Sequence, residues 1–262
     1  MIRGLSHSLG NSGKEGFHLV RTSHEWASVF NLESVDGRPV RVLDVGGAFQ
    51  SATYLDGNRS EPVFEYYRAF DEAFACGIPI RHALMIGGGG CAWPKHAATN
   101  HPELVVDVVE EDARVIDIAR KFFFVEEFEC TGQVRMIAAE GRAYLEQPGP
   151  TYDAIVNDAF SGTEPVRSLA TVEAARAIAR RLNPGGVYLS NVVSENGGVH
   201  IEFLRDAAAS LREVFSNVQV LPCPDFGYSD EDNYLLAASN SDVSFEGALP
   251  FSDEFLGTPL RD

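Results

Sequence analysis

The chain has 262 residues, of which 45% are hydrophobic and 23% charged, proportions that suit a soluble globular protein with a sizeable core. Its formal net charge of −17 repels phosphate backbones and argues against a nucleic-acid partner. No apolar run reaches membrane-spanning length, MIRGLSHSLGNSGKEG lacks a signal core, and four scattered cysteines show no C-x-x-C or metal spacing; together these point to a reduced, cytoplasmic protein without a membrane partner.

Residues 1–16 read as a flexible lead. In residues 17–76 the runs FHLVRT, ASVFNLESV, RPVRVLDVGG and FQSATYLD are short and β-like, with turns at Asp36-Gly37 and Asp56-Gly57-Asn58. They predict a small antiparallel sheet, since Asp-Gly between β-formers is a hairpin signal. PVFEYYRAFDEAFACG then predicts a connecting helix that stops at Gly77.

Residues 77–240 change character. The predicted strands HALMI, ELVVDVV, VRMIAA, YDAIVND and GVYLSNVV alternate with the predicted helices DARVIDIARKFF, TVEAARAIARRLN and HIEFLRDAAASLREVF. Such alternation implies right-handed βαβ units on a parallel sheet covered on both faces. VQVLPC and NYLLAAS follow with no helix between them and predict an antiparallel hairpin at the sheet edge. The whole reads as an α/β, Rossmann-like S-adenosylmethionine-dependent methyltransferase fold with a small N-terminal antiparallel β domain. Residues 241–262 form a tail with little pattern, read as partly mobile.

ALMIGGGGCAWPKH places four glycines between a strand and a helix. It fits G-x-G-x-x-G/A with Gly87, Gly89 and Ala92 in the three positions, where a tight turn, close ligand approach and helix–strand packing each need a small residue. Glu110 ends the next strand, where a carboxylate can accept both ribose hydroxyls. Glu111 and Asp112 equally suit a helix N-terminus. Glu140 closes the third strand and has two readings, an acceptor for an adenine amino group or a helix cap. Asp158 ends the fourth strand, in IVNDAFSG, as a general base or cation anchor or else a turn-forming acid. Asp153 sits at the opposite end of that strand and reads as structural. Cys91 reads as a packing residue, His96 and His101 as surface residues, and Trp93 as either a nucleoside cover or a helix–sheet spacer. No histidine or cysteine pattern calls for a metal.

These motifs, in this order, resemble the spermidine synthases and their spermidine-synthase-like relatives. MIGGGG resembles the family's I-G-G-G-D-G-G loop, VVEEDARVIDIARKFF its V-E-I-D segment, AAEGRAYL its G-D-G/A segment, and YDAIVNDAFSGTEP its F-D-x-I-x-x-D-S-S-D-P block. GGAFQSATYLD and FEYYRAF are similar to the segment carrying the family's glutamine and tyrosine–histidine pair. The resemblance implies a donor set of Gln50, the loop glycines Gly87, Gly88, Gly89 and Gly90, the acids Glu110, Glu111 and Glu140, Gly141, and Asp158. It makes Asp158 and Tyr66 the catalytic pair and implies a homodimer formed through the N-terminal β region. The donor is S-adenosylmethionine or its decarboxylated form, with no metal, and the acceptor is a small molecule, in this family an amine.

The departures fall on the chemistry. Gly90 replaces the loop acid that holds the amine of the decarboxylated donor, Ser161 replaces the second acid of the D-S-S-D block, and Tyr67 replaces the histidine. Loss of one charge-assisted contact costs roughly 1.5–3 kcal/mol, about one to two decades in rate or affinity. The expectation is therefore methyl transfer from intact S-adenosylmethionine, with backbone N–H groups of the glycine loop and helix start receiving the donor carboxylate. Aminopropyl transfer using substitute acids (Asp44, Glu65 or Glu164) is the alternative. A nucleoside-binding protein without catalysis comes next, and a nicotinamide dehydrogenase, which leaves Glu140 and Asp158 unexplained, comes last.

Overall fold

A run of β-branched residues that is apolar on both faces must be covered on both faces, and after residue 80 the chain does this five times. In the computed structural model, which describes residues 16–34, 36–161, 164–195, 200–223, 231–249 and 251–262, the strands β5 (His82–Ile86), β6 (Val105–Glu110), β7 (Val134–Ala138), β8 (Tyr152–Asn157) and β11 (Leu182–Glu195) lie parallel. With β12 (Asn217–Cys223) and β13 (Glu231–Ser239) they form one sheet of order β12-β13-β11-β8-β5-β6-β7, while the two-residue strands β9 (Phe160–Ser161) and β10 (Glu164–Pro165) pair with each other after β8. β13 runs antiparallel to both its neighbours, which places the predicted hairpin at the edge. The strand order reverses at β5, so the crevice between the carboxyl ends of β5 and β8 is where an open α/β sheet binds ligands.

Two apolar layers flank this sheet. One contains Trp93, Ile118 and Phe122 of the helices α2 (Ala92–Asn100) and α3 (Ala113–Phe122) and continues into the N-terminal sheet. The other contains Leu145, Ile178 and Leu204 of α5 (Gly141–Glu146), α6 (Val172–Arg181) and α7 (His200–Arg212). Sequence patterning misses α5 and α4 (Val125–Thr131), because neither is long enough to show a 3.6-residue period.

The N-terminal sheet is antiparallel, in the order β1 (His18–Arg21), β2 (Trp26–Glu33), β3 (Pro39–Val45) and β4 (Ala48–Tyr54). Its β3–β4 turn is Gly46-Gly47, both at positive φ, as a two-residue hairpin requires. The strand pattern of the sequence runs through these glycines, and the turn it predicts at Asp56-Gly57-Asn58 instead follows β4. The predicted connecting helix is mostly a 3-10 turn over Glu65–Asp71, followed by the short α1 (Glu72–Ala75). The predicted lead, apart from Gly16, lies outside the described residues.

The tail, read as partly mobile, is instead docked. Gly257 N donates to Arg205 O, Leu260 N to Ser210 Oγ, and Val172 N to Leu260 O (3.1, 2.8 and 2.9 Å). Short polar contacts of this kind leave no hydrophobic period for sequence analysis to find. Among the described residues, no helix is long and apolar enough to cross a membrane.

Candidate active site

The carboxyl ends of β5, β6, β7 and β8 open into a cavity of about 410 Å³, closed on its far side by the N-terminal sheet and the Tyr66–Tyr67 pair. Gln50, Tyr66, Gly87, Gly88, Gly89, Glu110, Glu111, Glu140, Gly141 and Asp158 all line it. Gly90 does not, which corrects the expectation that all four loop glycines face the ligand. A Cβ on Gly90 would meet Ser51 Oγ at 2.7 Å and Phe123 Cδ1 at 2.8 Å, so this position points into packed protein behind the loop. Gly87 is fixed from another side. Its φ is +90°, and a Cβ there would come within 2.5 Å of Asp158 O, so the turn can pass the end of β8 only as glycine.

Glu110 is held between the loop and the start of α3. Its Oε2 accepts from Gly88 N and Gly89 N (3.0 and 3.2 Å) and its Oε1 from Asp112 N (3.1 Å). Burial pushes its carboxyl above the ordinary range, against the opposing pull of those three amides. The Gly88 and Gly89 amides are thus engaged, which corrects the expectation that the loop N–H groups are free to receive a donor carboxylate. Asp112 caps α3 through Arg114 N and also accepts from Ser23 N and Ser23 Oγ (2.8, 2.6 and 3.1 Å), tying the β1–β2 turn over this end of the cavity. Burial opposes the Asp112 charge, yet these bonds outweigh it and hold the carboxyl below its usual range.

Glu140 takes the capping option. Its two oxygens accept from Arg142 N and Ala143 N (2.8 and 2.7 Å) at the start of α5. It still lines the cavity, beside Gly141, whose absent side chain is required by Ile86 Cγ2 at 2.5 Å.

Asp158 is the half-buried acid held by side-chain donors. Asn191 Nδ2 donates to its Oδ1 (2.9 Å) and Tyr66 donates its hydroxyl to Oδ2 (3.2 Å). Desolvation pushes its carboxyl up to about 7, against the pull of both donors. Tyr66 stacks on Tyr67 with ring centroids 4.2 Å apart, and burial, then the Asp158 charge, keep both phenols un-ionised. A carboxylate that is half-ionised near neutrality, fixed by two donors at a cavity wall, is suited to take a proton from a reacting group. Sequence reasoning missed Asn191. The rule that found Asp158, a polar residue ending an apolar strand at the carboxyl edge, applies equally to it.

Six acids line the cavity, Glu25, Glu110, Glu111, Asp112, Glu140 and Asp158, and among the described residues His24 is the one basic side chain on the wall. Asp44 and Glu65, two of the substitute acids, do not line it; Asp44 accepts from Gly47 N and Glu65 pairs with Arg68. The side chain of Glu164 lies outside the described residues. Trp93 is fully buried on the helix side, against Phe70 and Phe74, and donates to Asp71, which makes it a spacer and not a nucleoside cover. His96, read as a surface residue, bonds the same carboxylate (2.9 Å) with its side chain 13% exposed. Cys91 packs on Met136, and burial lifts its thiol to about 12. Asp153 accepts from Arg81 N, His82 N and Asn183 Nδ2, a structural role at the far edge.

The spermine/spermidine synthase domain matches residues 72–229. The chain belongs to the spermine/spermidine synthase family. Within and around this family it is 29% identical over 179 residues to putrescine N-methyltransferase 3 of Nicotiana tabacum, across 64% of this chain and 46% of that protein. It is also 29% identical over 230 residues to spermidine synthase 2 of Datura stramonium, across 81% of this chain and 71% of that one. The chain spans about half the length of the putrescine N-methyltransferases it matches. A probable spermidine synthase from Corynebacterium glutamicum superposes with a TM-score of 0.71 at 22% identity, covering 86% of this chain and 80% of that one; at that identity the likeness shows the shared fold. The names of these relatives are those of transferases.

Proposed function

We propose that this family member transfers a methyl group from S-adenosylmethionine to an amine, with Asp158 as the general base. The residues fit a nucleoside donor on two observations of the cavity. Glu110 is half-buried where β6 ends, against a glycine turn that admits no side chain at Gly87. Glu140 and Gly141 wall the far end. When bound, the donor supplies a methyl carbon made electrophilic by its sulfonium. The chain's own residues do the rest. Asp158, fixed by Asn191 and Tyr66, orients the amine and takes its proton as nitrogen bonds to the methyl carbon and the carbon–sulfur bond breaks toward sulfur. The stacked tyrosines keep water from the acceptor side.

The observation that carries methyl over aminopropyl transfer is position 90. It has no acid, faces Ser51 and Phe123 instead of the cavity, and neither Asp44 nor Glu65 replaces the acid on the wall. One observation favours aminopropyl transfer: no lysine or arginine among the described residues lines the cavity to meet a donor carboxylate. The names of the relatives support an amine acceptor of the polyamine kind under either reading. Calorimetry with S-adenosylmethionine, its decarboxylated form and 5′-methylthioadenosine, together with a methyl-transfer assay on putrescine, separates the two. Tighter binding of the decarboxylated donor would replace methyl by aminopropyl transfer, and no binding of any adenosine compound would remove the enzyme reading altogether.

A further inference from the structure

One side chain ties together two separate pieces of the cavity wall without touching the cavity itself. Arg142, in the first turn of α5, donates its backbone N–H to Glu140 (2.8 Å), directly behind the Glu140–Gly141 wall. Its Nη1 donates to Ser168 O (2.8 Å) and Thr171 Oγ1 (3.1 Å). Ser168 precedes Leu169, which also lines the cavity, and Thr171 caps α6 through Ala174 N. The guanidinium therefore fastens the 140–141 wall to the 169 wall. The docked tail ends on this group. Asp262 Oδ1 and Oδ2 accept from Nη1 and Nη2 (3.1 and 2.6 Å), and Oδ1 also accepts from Thr171 Oγ1 (2.8 Å).

A two-toothed carboxylate–guanidinium contact fixes orientation as well as distance. Without Asp262, the Arg142 fork keeps Glu146, Ser168 and Thr171 as partners but loses the contact that aligns its plane. The rest of the tail is anchored elsewhere: Arg261 pairs with Glu173 and Glu213, and Gly257 and Leu260 bond α7. Asp262 is the tail residue whose side chain reaches the back of the cavity wall.

We infer that Asp262 and Arg142 are positioning residues for nucleoside binding, with the tail acting as a strap that holds the Glu140–Gly141 and Leu169 walls in register. This rests on the reading of the cavity as a nucleoside site. It predicts an effect on the adenosine end of the ligand and none on the transfer step at Asp158.

The test uses the full chain, with 5′-methylthioadenosine and S-adenosylhomocysteine as probes. Asp262→Ala is expected to weaken both by the same factor, about three- to tenfold for a partly exposed charge-assisted pair. It should raise donor KM in parallel, leave kcat unchanged, and speed hydrogen exchange at the Arg142 and Ala143 amides that Glu140 caps. Asp262→Glu should recover most of the loss, and Arg261→Ala, on the same tail, should change none of these. A lower melting temperature with unchanged probe affinity and unchanged exchange at 142–143 would reduce the strap to a structural tie and overturn the inference. So would a fall in kcat equal to the rise in KM. If the wild-type chain binds neither probe, the nucleoside reading fails and this one with it, whereas wild-type binding with indifferent variants removes this one alone.

Discussion

As the proposed general base, Asp158 links stability and activity through a single proton, and the consequences of its desolvation can be worked out before any measurement. Desolvation raises its carboxyl from the ordinary 3.8 to about 7. The folded state therefore holds a proton that the unfolded state releases between those values, and stability falls as pH rises across that window. The ceiling on this loss is about 4 kcal/mol, from roughly 1.36 kcal/mol for each pH unit between the two values. Asp158→Asn removes the ionisation, so the variant should gain stability over wild type at pH 8 and lose that advantage by pH 4. Activity should move the other way. If the free enzyme's base titrates near 7, kcat/KM at pH 6 is about one-ninth to one-tenth of its value at pH 8, with a slope approaching tenfold per unit below that. The kcat profile, which reads the loaded site, should shift to lower pH because a cationic amine favours the carboxylate. Thermal melts of both proteins from pH 4 to 8, alongside initial rates over the same range, supply both curves. A kcat/KM profile flat between pH 5.5 and 8, or an Asn variant whose stability difference from wild type does not change with pH, would refute the reasoning.

Gly90→Asp, which on sequence grounds alone restores a family acid, is expected to fail as a donor switch. Its Cβ has no room beside Ser51 and Phe123, so denaturant unfolding should show a loss of about 1–3 kcal/mol, the usual cost of overpacking, and calorimetry should show no gain for the decarboxylated donor. Lys95 offers a second stability signature. It is buried, its ammonium donates to Phe123 O and Thr53 Oγ1, and no carboxylate among the described residues pairs with it; burial lowers it to about 8 from the usual 10.5. The unfolded chain therefore binds the extra proton between those values, and stability attributable to this group rises with pH from about 8 to 10.5. Lys95→Met should flatten that rise in thermal melts against wild type, and an unchanged slope would show the ammonium to be better solvated than its burial implies.

The parallel sheet and its antiparallel edge were legible because two-sided apolar strands and amphipathic helices carry their own periods. Asp158 and Glu110 were legible because the ends of such strands define one edge. What escaped was set by contacts between segments distant in sequence. Gly90 looks like its neighbours in a run of four, and only the approach of Ser51 from β4 and Phe123 from beyond α3 shows that it faces away from the cavity. Glu140 could cap or bind, and the amide pair at Arg142 and Ala143 that it satisfies exists only once α5 has formed. That helix was too short to predict. Gly46-Gly47 was missed for a different reason: the strand pattern runs through it, and positive φ leaves no mark on hydropathy.

The charge of the cavity also has to be separated from its chemistry. Six carboxyl groups around one cavity would suggest a site for a polycation, but three of them already serve the fold. Glu110 holds the glycine loop and Asp112 the β1–β2 turn, and Glu140 holds the first turn of α5, each through amide donors that fix its oxygens. An acid committed in this way still contributes its field and draws a sulfonium or an ammonium toward the opening, but its oxygens are already occupied by amide donors. Asp158 differs in kind. Its partners are an amide and a phenol from side chains, and desolvation holds its carboxyl at about 7. On the proposed reading, the acidic wall concentrates the cation and Asp158 is the acid on it that reacts. Association should therefore weaken with salt, while the pH limb of turnover, set by the desolvated Asp158, should hardly move.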